Sequence, residues 1–249
     1  MQTESEVMAK VNSVKHWYHQ IEVRPGIVTP GINNSSEVLK RLDISDNCQR
    51  LRVLDLGTRD GFFAFELEKR GAEVIAVDYY PADSTGFKVA SELLNSKVTY
   101  IQDNIYNISK EKYGTYDIIL FLGLLYHLRD PLLALDIIRD ICRNELYLET
   151  YVIDNAFLLP DGGKVPLHSI SEKLQDIPLM EFFPRDSLNK DFSNYWGANF
   201  KCVELMLIES NFSIVEKGLY GDRAIFKCRI SFDKELDYQK KIARGIVNL

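Results

Sequence analysis

A chain of 249 residues, 46% hydrophobic and 27% charged, is long enough to bury a substantial core as one large domain or as one domain with an insertion. Its net charge of −6 argues against extended contact with a nucleic-acid backbone, which calls for clustered Lys and Arg. Cys48, Cys142, Cys202 and Cys228 stand far apart with no Cys-x-x-Cys pair, which argues against a disulfide framework or a metal site and fits a cytoplasmic protein. No leader with a basic and then an apolar region is visible, and no run of 18 apolar residues, so neither a signal peptide nor a membrane span is expected.

Val7, Val11 and Val14 recur at helical spacing and predict a short amphipathic helix. From Trp17 to Gly31, aromatics and His19 precede two Pro-Gly pairs, so an irregular arm with fixed bends is expected. Two compatible roles suit it: Trp17 and Tyr18 pack the arm onto the core, or the arm covers a cofactor or substrate pocket. A helix is expected over Glu37–Leu42.

Leu51–Leu56 reads as the first core strand, and Phe62–Arg70 as a helix stopped by Gly71. Glu73–Asp78 is a strand, Phe87–Asn95 a helix and Val98–Gln102 a strand. Asp117–Leu122 is an apolar run suited to a strand buried on both faces. Pro131–Cys142 is a helix with proline in its first turn, and Glu145–Glu149 a further strand. Regular alternation then stops. Residues 151–199 hold turns and many aromatics, as expected of a lid or a small subdomain. Phe200–Glu209 returns to helical spacing. Ser213–Glu216 and Ala224–Ile230 read as two strands joined by the Gly218–Asp222 turn, which would put one antiparallel strand into the sheet. Lys234–Leu249 is a charged surface helix. Four segments are expected: an arm over 1–45, a binding core over 46–150, a substrate lid over 151–199, and the rest of the core with a tail over 200–249.

The chemistry gathers around Val53-Leu54-Asp55-Leu56-Gly57-Thr58-Arg59-Asp60-Gly61, followed by Val74–Asp78. Strand, glycine turn, helix and strand ending in a carboxylate form a βαβ unit for a nucleoside, with Asp78 placed to accept from ribose hydroxyls. The glycine spacing is not that of a dinucleotide fold, and Asp60 at the helix entry would repel a pyrophosphate. Asp55 and Asp60 instead suit a ligand with a cationic end. The fold class that follows is α/β, with a Rossmann-like, seven-stranded, mostly parallel sheet.

Ligands in such sheets sit beyond the carboxyl ends of the strands. That adds Tyr79, beside Asp78, and Asp103-Asn104-Ile105, where a carboxylate could take an adenine amino group and an amide could donate to the ring. It also adds Leu122 and the Gly123–Pro131 turn. There Tyr126 offers a phenol and a ring face to a sulfonium, and His127 could act as general base or merely hold its loop. Glu149 could bind substrate or hold a helix terminus.

The pattern Asp55-x-Gly57-x-x-x-Gly61 with Asp78 resembles motif I and the ribose acid of class I S-adenosylmethionine (SAM) methyltransferases. Gly123-Leu-Leu-Tyr-His-Leu-Arg-Asp-Pro and Glu149-Thr-Tyr-Val-Ile-Asp narrow the resemblance, as do Trp17-Tyr-His and Asn194-Tyr-Trp-Gly-Ala-Asn. Together they look like a bacterial group related to the tRNA wobble-uridine carboxymethyltransferases, over roughly residues 14–230. The resemblance implies SAM as cofactor and S-adenosylhomocysteine as product. The tRNA enzymes use carboxy-SAM, whose extra carboxylate takes a Tyr, an Arg and a Lys. Tyr126 matches the Tyr and Arg223 the Arg, while the Lys falls near His19 or Gln20.

The acidity of the chain and its shorter N-terminal region favour ordinary SAM and a small-molecule acceptor. Trp17, His19, Glu149, Trp196, Asn199 and Arg223 are the expected substrate contacts, and Tyr126 and His127 the catalytic pair. No metal, nucleic acid or membrane partner is expected, and the chain is expected to be a monomer or homodimer. The alternatives are a tRNA carboxymethyl transferase and a non-catalytic SAM-fold module.

Overall fold

Thr3 and Glu6 cap each other: the Thr3 amide donates to Glu6 Oε2 (2.7 Å) and the Glu6 amide donates to Thr3 Oγ1 (3.3 Å). That reciprocal pair starts α1 (Glu4–Ser13), which buries Val7 and Val11. The computed structural model describes residues 2–246, and the chain divides between Leu120 and Phe121 into two compact units.

In the first unit the arm is not wholly irregular. β1 (Glu22–Arg24) and β2 (Ile27–Val28) pair antiparallel across Gly26, whose φ of +79° suits a residue without a Cβ. α2 (Ser35–Leu42) follows. The expected βαβ unit forms as β3 (Arg52–Leu56), α3 (Phe62–Lys69) and β4 (Glu73–Asp78). α4 (Phe87–Leu94), β5 (Thr99–Gln102), α5 (Lys110–Tyr113) and the first part of β6 (Tyr116–Leu122) complete the unit.

β4 runs parallel to both neighbours, with Leu56 opposite Val77 and Asp78 opposite Gln102. The register sets the Gly57 turn, Asp78 and Asp103 at one end of these strands. Val53, Leu54, Asp55 and Leu56 are all buried, as a strand covered on both faces requires.

The second unit holds α6 (Pro131–Ile141) and β7 (Cys142–Tyr151), which begins three residues earlier than expected. The 151–199 stretch contains β8 (Phe157–Leu158), β9 (Lys164–Val165), α7 (Leu167–Ile170), β10 (Met180–Phe182) and β11 (Trp196–Ala198). Tyr151, Ile153, Ala156, Leu167, Phe183 and Leu188 give it a small apolar core of its own. Gly197 lies against that core, where a Cβ would come within 2.5 Å of Ile153 and 2.7 Å of Phe183.

α8 (Phe200–Glu209), β12 (Phe212–Tyr220), β13 (Arg223–Ile230) and α9 (Lys234–Ala243) close the chain. β12 is longer than the sequence suggests because it follows β13 along its whole length through an irregularity between Ile214 and Glu216. The last three residues of the expected tail helix lie outside the described residues.

The seven-stranded sheet has the order β12-β13-β7-β6-β3-β4-β5. β13 is antiparallel to both β7 and β12, as the hairpin reading required. Among the described residues no helix is long and apolar enough to cross a membrane.

Candidate active site

Gly57 leaves β3 at φ +73°, a left-handed conformation favourable to glycine. Its amide and that of Thr58 both donate to the Val77 carbonyl (2.8 and 3.3 Å), which ties the turn to the end of β4. Asp78 closes that strand and is buried. Its Oδ2 accepts the Arg59 amide (2.9 Å) and its Oδ1 accepts the Tyr80 amide (3.0 Å). A carboxylate has about four acceptor positions, so these two amides fix its orientation and leave capacity for a pair of ribose hydroxyls. Tyr79 and Tyr80 expose apolar faces beside it, their ring centres 4.1 Å apart, and the Arg59 guanidinium lies 5.0 Å over the Tyr80 ring.

Asp55 is buried and accepts the Thr58 hydroxyl at 2.6 Å. Burial pushes its carboxyl up to about 7; the Thr58 hydroxyl opposes the rise and the Asp78 charge adds to it.

Other residues expected at the cofactor are spent on the fold. Asp60 is fully buried, and its carboxylate accepts three backbone amides: Tyr18 (2.6 Å), His19 (2.9 Å) and Gly86 (2.9 Å). It anchors the arm rather than facing a ligand. Asp103 takes the Asn104 amide, the Asn107 side chain, the Lys112 ammonium and the Tyr113 hydroxyl, all between 2.5 and 2.8 Å. These donors, Lys112 foremost, hold its carboxyl well below the usual range and fill the positions meant for an adenine amine.

The Asn104 side chain accepts the Tyr106 amide and starts a tight turn in which Ile105 is buried. Gly61 has φ +90°, and a Cβ there would meet the Phe65 and Phe87 rings at 2.6 and 2.7 Å. Its glycine answers to packing.

Trp17 is buried, donates its indole N–H to the Val11 carbonyl (2.9 Å) and lies where a Cβ on Gly86 would touch its ring. It therefore packs the arm instead of offering a face to substrate. His19 is buried too, with Nδ1 unpartnered and Phe62 and Phe63 about 6 Å away. Burial pushes its imidazole down to about 4, against the pull of Asp60.

In the second unit, Leu122 ends β6 half-buried, and a turn over Leu125–His127 follows. Arg223 lies over the Tyr126 ring at 5.1 Å. It also pairs with Glu149, Nη2 to Oε2 at 2.7 Å with a second contact from Nε to Oε1, and the Tyr220 hydroxyl donates to Oε1 (3.1 Å). Glu149 thus neutralises Arg223.

Trp196 donates its indole N–H to the Arg129 carbonyl (3.1 Å), and its ring lies tilted against Phe182 with centres 5.1 Å apart. Asn199 caps α8, and its amide makes four bonds: from the Leu179 and Cys202 amides, and to the Leu174 and Ile177 carbonyls. With no capacity left, it is a structural residue and not a substrate contact. Asp191, Ser193 and Tyr220 belong to the cluster around Tyr126 and His127 and carry no motif that sequence reading could have found.

A glycine turn tied to the end of a strand that finishes in a buried carboxylate is the arrangement of a nucleoside-binding α/β fold. The chain belongs to the methyltransferase-domain family, which it matches over residues 33–205. Fold and family together make it a class I SAM-dependent methyltransferase domain. It is 23% identical over 200 residues to the tRNA U34 carboxymethyltransferase of Ruthia magnifica subsp. Calyptogena magnifica, covering 71% of this chain and 62% of that one. It is 32% identical over 91 residues to the ubiquinone biosynthesis O-methyltransferase of Vibrio parahaemolyticus, covering 36% and 39%. The chain spans less than two thirds of the length of these curated relatives. In fold it is similar to the N-terminal domain of EvdMO1 with S-adenosylhomocysteine bound, at a TM-score of 0.64 and 14% identity, covering 94% of this chain and 98% of that one.

Proposed function

We propose that this chain transfers the methyl group of SAM to an oxygen or nitrogen of a small-molecule acceptor. The observation that carries the reading is Asp78, fixed by two backbone amides at the end of β4 beside the Gly57 turn and still able to accept from a ribose. Tyr79 and Tyr80 offer aromatic surface for a base, and Asp55 a carboxyl for a methionyl ammonium. Bound SAM supplies a methyl group already activated by its sulfonium, so the residues act chiefly by holding and aligning the reactants. The pairing of Arg223 with Glu149 supports the ordinary donor, because the cation that would favour a carboxylated one is already neutralised.

A second reading, carboxymethyl transfer to tRNA, draws on the curated relatives and on the stacking of Arg223 over Tyr126. Calorimetry with SAM, S-adenosylhomocysteine and carboxy-SAM separates the two. Micromolar binding of SAM and its product, without gain for carboxy-SAM, is the expected result, and Asp78→Ala should weaken it at least about tenfold. Unchanged affinity in that variant overturns the assignment of Asp78. Preference for carboxy-SAM, with tRNA binding that falls steeply with salt, would establish the second reading.

A further inference from the structure

His127 sits on the turn after β6, and the 151–199 segment is fastened to that turn at three places. The Tyr195 amide donates to the Tyr126 carbonyl (2.9 Å), the Trp196 indole to the Arg129 carbonyl (3.1 Å), and Ser193 meets the imidazole. His127 Nδ1 is 3.1 Å from the Ser193 carbonyl oxygen and 3.0 Å from Ser193 Oγ. A carbonyl oxygen can only accept. The Ser193 hydroxyl has one proton, and it goes to Asp191 Oδ1 at 2.6 Å; the Ser193 amide donates to the same oxygen at 2.8 Å. Both Ser193 oxygens therefore present lone pairs to Nδ1, which must carry the proton, and the imidazole lone pair is left on Nε2.

We infer that Asp191 and Ser193 are positioning residues that hold His127 as the neutral Nδ1–H tautomer, with Nε2 available to take the proton of an acceptor hydroxyl. This deepens the methyltransfer reading and rests on it. The hydroxyl proton goes to Nε2 while the oxygen's electron pair forms the bond to the methyl carbon. The carbon–sulfur pair returns to sulfur, leaving a neutral thioether. Asp191, through Ser193, then faces the imidazolium and stabilises it, as the carboxylate behind a catalytic imidazole does in other folds.

The groups that set this imidazole are burial, which lowers its pKa most, the Ser193 carbonyl and Asp191, which raise it, and Arg223, which lowers it; the Tyr126 ring lies 4.2 Å away. The net effect keeps it neutral at neutral pH, as a base must be. The 151–199 segment thus sets the protonation state of the imidazole it is fastened to.

The test uses the full chain labelled with 15N-histidine, whose four histidines give a small long-range proton–nitrogen spectrum, with His127→Gln for assignment. Wild type should show His127 protonated on Nδ1 near pH 7. Ser193→Ala and Asp191→Asn should each move its titration midpoint downward, and Ser193→Thr should restore it. An Nε2–H tautomer in the wild type overturns the inference, and so does a midpoint unmoved in both variants. Because the tautomer measurement needs no cofactor, its failure is distinct from loss of SAM binding, which would instead overturn the proposed function.

Discussion

Glu149 and Arg223 form a two-point ion pair at the end of neighbouring antiparallel strands, with the Glu149 carboxylate 6% exposed and the guanidinium stacked over Tyr126. Removing one partner of such a pair leaves an uncompensated buried charge, a loss of about 3 kcal/mol or more. Glu149→Gln should therefore lower stability by that amount in denaturant unfolding, and Glu149→Gln with Arg223→Gln should recover part of it. The single variant should also gain affinity for carboxy-SAM relative to SAM, because Arg223 loses its internal carboxylate. If calorimetry finds the ratio unchanged, Arg223 does not face the donor.

Asp60 makes a second prediction, on the arm. Its carboxylate serves three amides, from Tyr18, His19 and Gly86. Bonds to a charged group contribute about 1.5–3 kcal/mol each in favourable cases, so Asp60→Ala should cost about 3 kcal/mol or more. The loss should be local first, with protease cleavage between Trp17 and Gly31 accelerating before global unfolding. Equal cleavage rates in variant and wild type would mean that Trp17 alone holds the arm.

The contrast between Asp60 and Asp78 marks how far the sequence could be read. The succession of strands and helices along the chain, the antiparallel β13 and the Gly57 turn follow from local pattern, because a buried parallel strand must be apolar and a positive φ favours glycine. What a carboxylate is spent on does not follow from local pattern. Two of the amides that occupy Asp60 lie about 40 residues earlier in the chain and the third 26 residues later, and Asn199 is filled largely by the Leu174 and Ile177 carbonyls and the Leu179 amide, 20 to 25 residues before it. Ser193 was hidden for the same reason, since its partner is a histidine 66 residues away, and Asp191 reaches that histidine only through Ser193. The strands of the 151–199 segment are two or three residues long, too short for any period to register.

His19 predicts acid sensitivity. Its imidazole sits near 4 in the fold against about 6.5 in an unfolded chain. Between those values the unfolded state binds the extra proton, so the stabilisation is complete above about 6.5 and is lost as pH falls toward 4, to a limit of about 3 kcal/mol. His19→Phe keeps an aromatic ring against Phe62 and Phe63 and cannot titrate. Its stability should fall less between pH 7 and 4.5 than that of wild type in paired denaturant melts. Parallel curves for the two proteins would place the acid-sensitive group elsewhere.

Asp55 carries the opposite sign. Its carboxyl is up near 7 in the fold and near 3.8 outside it, so the folded chain holds the extra proton between those values. The contribution of Asp55 to stability is therefore greatest at acid pH and declines as pH rises from about 4 to about 7. A methionyl ammonium facing this group would favour its ionised form, and binding near pH 7 would then expel a proton. Calorimetry in two buffers of different ionisation enthalpy should detect a fractional proton released per SAM bound at pH 6.5–7. Affinity should rise with pH across that range and level off above about 8, where the carboxylate is already ionised. Asp55→Asn should abolish the buffer dependence. Proton release that persists in Asp55→Asn, or that is absent from wild type, would assign the ammonium to a different partner.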